Sequence, residues 1–209
     1  MLSVIKRKFS ESSLLKAKRI ISQGGGVIRT SDAIRAGIHP RTLYELRDKG
    51  VLEVLSRGVY RLTDQEEIVD PDLIIVASRI PRSVICLISA LSFHEITTQI
   101  PHAIAIALPK GAETPRLLYP PLSVHRFSKE ALKEGVEEHR INGVTVKVFN
   151  SEKTLADCFK FRNKIGLDIV LEALKLYRSK GQFNTEKLLK YAKICRVEKV
   201  MRPYLEVML

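Results

Sequence analysis

Cysteine is scarce and unpatterned in this sequence. Cys86, Cys158 and Cys195 lie far apart and form no Cys-x-x-Cys pair, and each falls among apolar residues on an expected helix. That arrangement predicts buried free thiols and suits a reducing compartment. Long apolar runs are missing too: none approaches the roughly 20 residues needed to cross a bilayer. The opening stretch "MLSVIKRKFSESS" lacks the apolar core of a signal peptide. A soluble, cytoplasmic protein without membrane association is expected. There is no internal repeat and no low-complexity segment.

The chemistry-bearing patterns of common enzymes are equally absent. The five histidines, His39, His94, His102, His125 and His139, are scattered, and His94-Glu95 is not followed by a second histidine one helical turn on. No serine sits in a Gly-x-Ser-x-Gly elbow. Asp70, Asp72 and Glu113 lack the accompanying Glu-x-Lys that a metal-dependent nuclease would place beside them, and Glu152-Lys153 reads as the first turn of a helix. The triplet Gly24-Gly25-Gly26 has no preceding strand and no following Lys-Ser/Thr, so it reads as a helix stop and not a phosphate cradle. No catalytic residue, metal site or cofactor is expected.

What the chain does have is positive charge, unevenly placed. The net charge is +12 over 209 residues. Residues 1–64 carry 13 Lys and Arg against 6 Asp and Glu, residues 65–150 carry 9 against 10, and residues 151–209 carry 13 against 7. Two basic ends flanking a neutral middle are the distribution expected if the ends meet a polyanion.

Local patterns supply an architecture. A helix is expected from about Ser12 to Gln23, with Leu14, Leu15, Ala17, Ile20 and Ile21 on one broad face. After the glycines, "VIRT" reads as extended, and Thr30 or Ser31 caps a second helix that ends at Gly37. A third helix starts at His39 or Pro40 and runs to Lys49, with proline in the first turn where its missing N–H is harmless. "VLEVL" and "VYRL", joined by Ser56-Arg57-Gly58, form a hairpin. Within 29–48, small Ala33, Gly37 and apolar Ile38, Leu43 and Leu46 occupy the spacing of a helix-turn-helix. The first 64 residues are therefore read as a winged helix-turn-helix. Acidic "QEEIVDPD", residues 65–72, is read as a linker.

Residues 73–209 are expected to form a larger α+β domain. Two helices near 73–79 and 83–94 precede a small antiparallel sheet made by "HAIAIALP", "LSVHRF" and a hairpin around Asn142-Gly143, the dipeptide that supplies positive φ at both turn positions. Its C-terminal part is helical. Ser151 caps one helix; Leu167, Val170, Leu171, Leu174 and Tyr177 mark a second. Asn184 caps a third. A last helix runs from about Val197, interrupted near Pro203.

On this architecture the third helix is the DNA reader. Arg41 and Tyr44 face away from its apolar side at the end that would meet base edges, Thr42 sits at the flank facing phosphate, and Arg57 stands at the wing tip. Glu45 and Asp48 either read a cytosine amine or orient Arg41. Thr30, His39 and Arg61 complete the expected DNA-binding set. A second basic series, Lys187, Lys190, Arg196, Lys199 and Arg202, is a possible further DNA or partner surface.

The stretches "IHPRTLYELRDKGVLEVLSRGVYRL", "ICLISALSFHEITTQIPHAIAIALPKG", "YPPLSVHRFS", "EKTLADCFKFRNKIGLDIVLEAL" and "YAKICRVEKVMRPYLE" together resemble AbiEi-type antitoxins of bacterial type IV toxin–antitoxin systems. The resemblance runs from about Ser12 to Glu206. It implies an N-terminal winged helix that represses its own operon on double-stranded operator DNA, with inverted repeats as the expected site. It also implies a C-terminal antitoxin domain. The functional partner would be a nucleotidyltransferase-like toxin, with no stable complex required. The alternative is an orphan winged-helix regulator, or a protein-interaction module, without a cognate toxin.

Overall fold

Three apolar positions on the first helix decide how the chain begins to pack. A computed structural model describes residues 2–65, 70–181 and 183–208, with side chains from residue 12 onward. Helix α1 spans Leu2–Gln23, ten residues longer at its start than the apolar face alone suggested. Leu14, Ala17 and Ile21 are buried, one turn apart, while Leu15 stays 69% exposed. The apolar stripe is thus narrower than the sequence pattern implied.

The chain divides into two units, one of residues 1–79 with 140–145 and the other of 80–139 with 146–209. In the first, β1 (Val27–Arg29), α2 (Thr30–Arg35), α3 (Pro40–Asp48), β2 (Leu52–Ser56), β3 (Val59–Leu62) and α4 (Pro71–Arg79) follow α1. The "VIRT" stretch pairs antiparallel with β3, so the hairpin becomes a three-stranded sheet in the order β1-β3-β2. Ser56 faces Val59 across the Arg57-Gly58 turn, and the register shifts between Val54 and Ser56. Ala33, Ile38, Leu43 and Leu46 pack with the α1 stripe and with Leu52, Tyr60 and Leu62. A small second cluster joins Val27, Val59 and Ile74 of α4. Of the stretch expected to be a linker, residues 66–69 lie outside the described residues.

One glycine pair in this unit has a role beyond ending a helix. A Cβ on Gly25 would stand 2.3 Å from the Gly143 nitrogen, and one on Gly143 would stand 1.6 Å from the Gly24 carbonyl oxygen. Both residues hold positive φ. Backbone therefore meets backbone at the 142–143 turn, where no side chain fits.

In the second unit, β4 (Val84–Ile85), α5 (Leu87–Phe93), β5 (Ile104–Pro109), β6 (Leu122–Phe127), α6 (Lys129–Lys133), β7 (Val136–Ile141) and β8 (Val144–Phe149), the last two without the residues 140–145 assigned to the first unit, lead into helices α7 (Ser151–Lys160), α8 (Arg162–Ile165), α9 (Leu167–Ser179), α10 (Thr185–Cys195) and α11 (Glu198–Met208). The five strands are ordered β6-β5-β4-β8-β7. The sheet is mixed and not antiparallel as expected: β5 and β6 run parallel, as do β4 and β8, and only β4 with β5 is antiparallel among those registers. The central strand is two residues long and hid inside a stretch read as helix, and the parallel pairing is decided by partners distant in sequence. β5 is buried along almost its whole length, as strands covered on both faces are.

Helix α7 is the hub of this unit, with every residue from Glu152 to Phe159 buried and α5, α9, α10 and α11 packed against it. Asn150, not Ser151, caps it by accepting from the Lys153 N–H at 2.9 Å. Lys153 and Asp157, one turn apart and both fully buried, form an ion pair. The Lys153 ammonium also lies 4.2 Å from the Phe149 ring centroid, and Cys195 donates to Asp157 at 3.1 Å. Asn184 caps α10, and α11 continues through Pro203 without interruption.

Candidate nucleic-acid interface

Helix α3 is launched by His39, whose Nδ1 accepts the Arg41 N–H at 3.1 Å. That bond satisfies one of the orphan donors at a helix start and leaves the ring proton on Nε2, turned outward. Ile38 and Leu43 are buried beneath it, so the first turn is anchored from below and Arg41 is presented from its exposed side. Thr42 is half-buried and its N–H bonds to the His39 carbonyl at 2.9 Å. Tyr44 is 46% exposed and carries the Arg47 guanidinium 5.3 Å from its ring centroid.

The charges around this helix are sorted. Arg47 pairs with Asp48 at 2.7 Å and Lys49 with Glu45 at 3.1 Å. Arg61 pairs with Glu53 directly across the β2–β3 ladder, an ion-pair contact in which the Arg61 Nε lacks linear hydrogen-bond geometry. Arg61 is only 19% exposed along its side chain, so the structure places it inside the sheet's own charge pattern and not at an open surface. Among the described residues, Arg41 and Arg57 have no carboxylate partner. They are the two cations of the 39–62 segment left in that state. The acids once expected to steer Arg41 have these other partners.

The wing tip is tied to its surroundings by backbone. Gly58 turns the chain at φ +75, and its carbonyl receives the Thr30 N–H at 2.9 Å and the Thr30 hydroxyl at 3.4 Å. Thr30 is the first residue of α2 and not its cap, which is Arg29. Arg29 and Arg35 both pair with Asp32. Burial pushes the Asp32 carboxyl up, but the two guanidinium hydrogen bonds outweigh it and hold the group below its ordinary range. Sequence reasoning missed Arg79, which donates to the Arg57 carbonyl at 2.8 Å and lines a cleft of about 240 Å³ with Thr30, Ser31 and Gly58. Nothing local in the sequence links it to a turn 22 residues earlier.

The second basic series is partly neutralised. Lys187 lies 3.7 Å from Glu152, Lys190 3.2 Å from Glu134, and Arg202 2.6 Å from Glu198. Arg196 and Lys199 have no such partner among the described residues, and with Lys193, which was not singled out from sequence, they line a cleft of about 310 Å³. Arg196 holds a left-handed backbone at φ +60 where α10 ends. Among the described residues no group of three or more His, Cys, Asp or Glu side chains converges, and no helix is long and apolar enough to cross a membrane.

Residues 16–63, which cover the end of α1, helices α2 and α3 and the hairpin, match a family model described as a transcriptional regulator, AbiEi antitoxin. The resemblance to AbiEi-type antitoxins is thereby borne out over that segment. No curated protein matches the chain. Among solved structures, the RV2827C protein from Mycobacterium tuberculosis has a similar fold, with a TM-score of 0.55 and 19% identity over 85% of this chain and 71% of that one.

Proposed function

We propose that this AbiEi-type regulator is a sequence-specific DNA-binding repressor that reads operator DNA with α3 and clamps it with the β2–β3 wing. The observation that carries the reading is the sorting of charge. Three of the five cations between residues 39 and 62 are matched to acids, and Arg41 and Arg57 are left for an external anion. Arg41, on the first turn of a helix whose N-terminal end enters the major groove, is placed to take guanine edges in a bidentate contact. Thr42, Tyr44 and the outward Nε2–H of His39 flank it as phosphate or base contacts. Arg57 takes a phosphate or the minor groove from the wing tip. Thr30 acts by holding that tip in place, and Arg79 steadies it from α4. Arg61 supports the sheet.

In keeping with the family's antitoxin description, the chain autoregulates its operon and opposes a nucleotidyltransferase-like toxin, without need of a stable complex. Inverted repeats bound by two copies are the expected operator form. The C-terminal cleft of Lys193, Arg196 and Lys199 is a second anion-facing surface, favoured over Lys187, Lys190 and Arg202 because those three already have acids beside them.

A gel-shift titration on the DNA upstream of its own gene, with scrambled competitor, tests the reading. Selective binding lost in Arg41→Ala is expected. Weak, unselective binding that ignores the substitution would contradict it.

A further inference from the structure

The second unit contains a cavity of about 550 Å³ that the DNA-binding reading does not use. It lies among the start of α5, the segment before β5, the face of β6 and the end of α8. Its volume is in the range of pockets that enclose drug-sized molecules. Leu87, Ile88, Ala105 and Ile165 supply apolar wall, and Ile100 at its edge is 83% exposed.

The polar side chains of the lining are Gln99, His102, Ser123, His125 and Lys164. Ser123 and His125, on the same face of β6, share a hydrogen bond between hydroxyl and Nε2 at 3.0 Å. The Phe161 ring stands edge-on to the imidazole with centroids 5.3 Å apart, which fixes its plane. Lys164 lines the same cavity and has no ion pair among the described residues. None of the lining side chains is a carboxylate. Burial, with Lys164 adding to it, holds His125 below its ordinary range.

The backbone of the wall is also unusual. Leu87 is fully buried with φ +47, a conformation disfavoured for a residue with a side chain and found where the surroundings over-determine a site. A cavity with apolar wall, one lysine without an ion pair, the hydrogen-bonded Ser123–His125 pair, the further donors of Gln99 and His102, and no acid is complementary to an anion with an apolar body.

We propose that this cavity binds a small amphipathic anion, an apolar body seated against Leu87 and Ile165 with a single anionic group meeting Lys164 and the Ser123–His125 pair. The site is independent of Arg41 and Arg57, so it stands or falls apart from the DNA-binding reading.

The test uses the full chain and two fluorescent probes of matching body, anilinonaphthalene sulfonate and the uncharged phenylnaphthylamine. Saturable one-to-one binding of the sulfonate is expected. Lys164→Glu should weaken the sulfonate by about tenfold or more while leaving the neutral amine unchanged, because the variant reverses the charge that meets the anion and leaves the apolar wall as it was. Ala103→Phe, which fills the cavity, should weaken both probes. Lys164 is exposed, so its reversal leaves the fold intact and decides the question even if the filling variant is unstable. Sulfonate binding that is non-saturable, or that is the same in wild type and Lys164→Glu, would overturn the proposal.

Discussion

Arg41 and Arg57 stand out from the cations around them by having no carboxylate within reach among the described residues. A guanidinium paired across a ladder, like Arg61, already has its counter-ion, and exchanging it for a phosphate gains little. Arg61→Ala should therefore leave discrimination between specific and random DNA unchanged while lowering stability by roughly 0.2–1 kcal/mol, as read by urea denaturation. The same reasoning runs the other way for Lys153 and Asp157. In the sequence "SEKTLADC" the pair Glu152-Lys153 reads as the first turn of a helix, and one chain gives no sign that four other helices will cover its lysine. Removing one partner leaves the other charge buried, so Asp157→Ala should cost about 3–5 kcal/mol. Replacing both, Lys153→Met with Asp157→Leu, should recover much of that loss. Burial also explains the three cysteines: Cys195 is pushed up to about 12 first by desolvation and then by the Asp157 charge, so it packs as an inert thiol.

Elements defined by local chemistry were legible, and those defined by distant partners were not. Helix α3 announces itself through Pro40 and the apolar pair Leu43 and Leu46, and the Asn142-Gly143 hairpin through its turn dipeptide, with φ of +46 and +79. The strand Val84–Ile85 has too few residues to show a period, and the parallel register of β5 on β6 is set across a long connection. The contact of Gly25 with Gly143 joins residues 118 positions apart in the chain, so the triplet's first reading as a helix stop captured only half of its role. Gly143→Ala should destabilise the protein by about 1–3 kcal/mol, measured by urea denaturation, because both the positive φ and the close approach of Gly24 and Gly25 exclude a Cβ there. At the end of α10 the logic reverses. Arg196 occupies a left-handed position where glycine is usual, so Arg196→Gly should stabilise the fold by up to about 1 kcal/mol. If the C-terminal cleft holds an anion, the same change should weaken that contact.

At the scale of the molecule, charge placement carried the functional expectation and pairing refined it. Composition marks both ends as basic, but only the structure separates Arg41 and Arg57 from matched neighbours, and Arg196 and Lys199 from Lys187, Lys190 and Arg202. Which cation finds an acid depends on three-dimensional proximity that no spacing rule records. The whole fold should also respond to pH. Burial keeps His94 below its ordinary 6.5, and its Nε2–H donates to the Phe149 carbonyl at 2.7 Å. The unfolded chain binds that proton below 6.5 and the native state resists it, so stability should fall as pH drops from 6.5 towards the folded value. Urea midpoints at neutral and mildly acidic pH should show the decline, and His94→Gln should flatten it. On DNA, log affinity should fall linearly with log salt, and Arg57→Ala should reduce that slope by about one. The most direct test of the account is the fluorescence anisotropy of wild type, Arg41→Ala and Arg57→Ala on operator and random duplexes at matched salt. Arg41→Ala should lose affinity mainly for operator DNA, by roughly 1–3 kcal/mol, and Arg57→Ala should lose similar affinity on both. Equal losses for the two variants on both duplexes would contradict the division into reader and clamp.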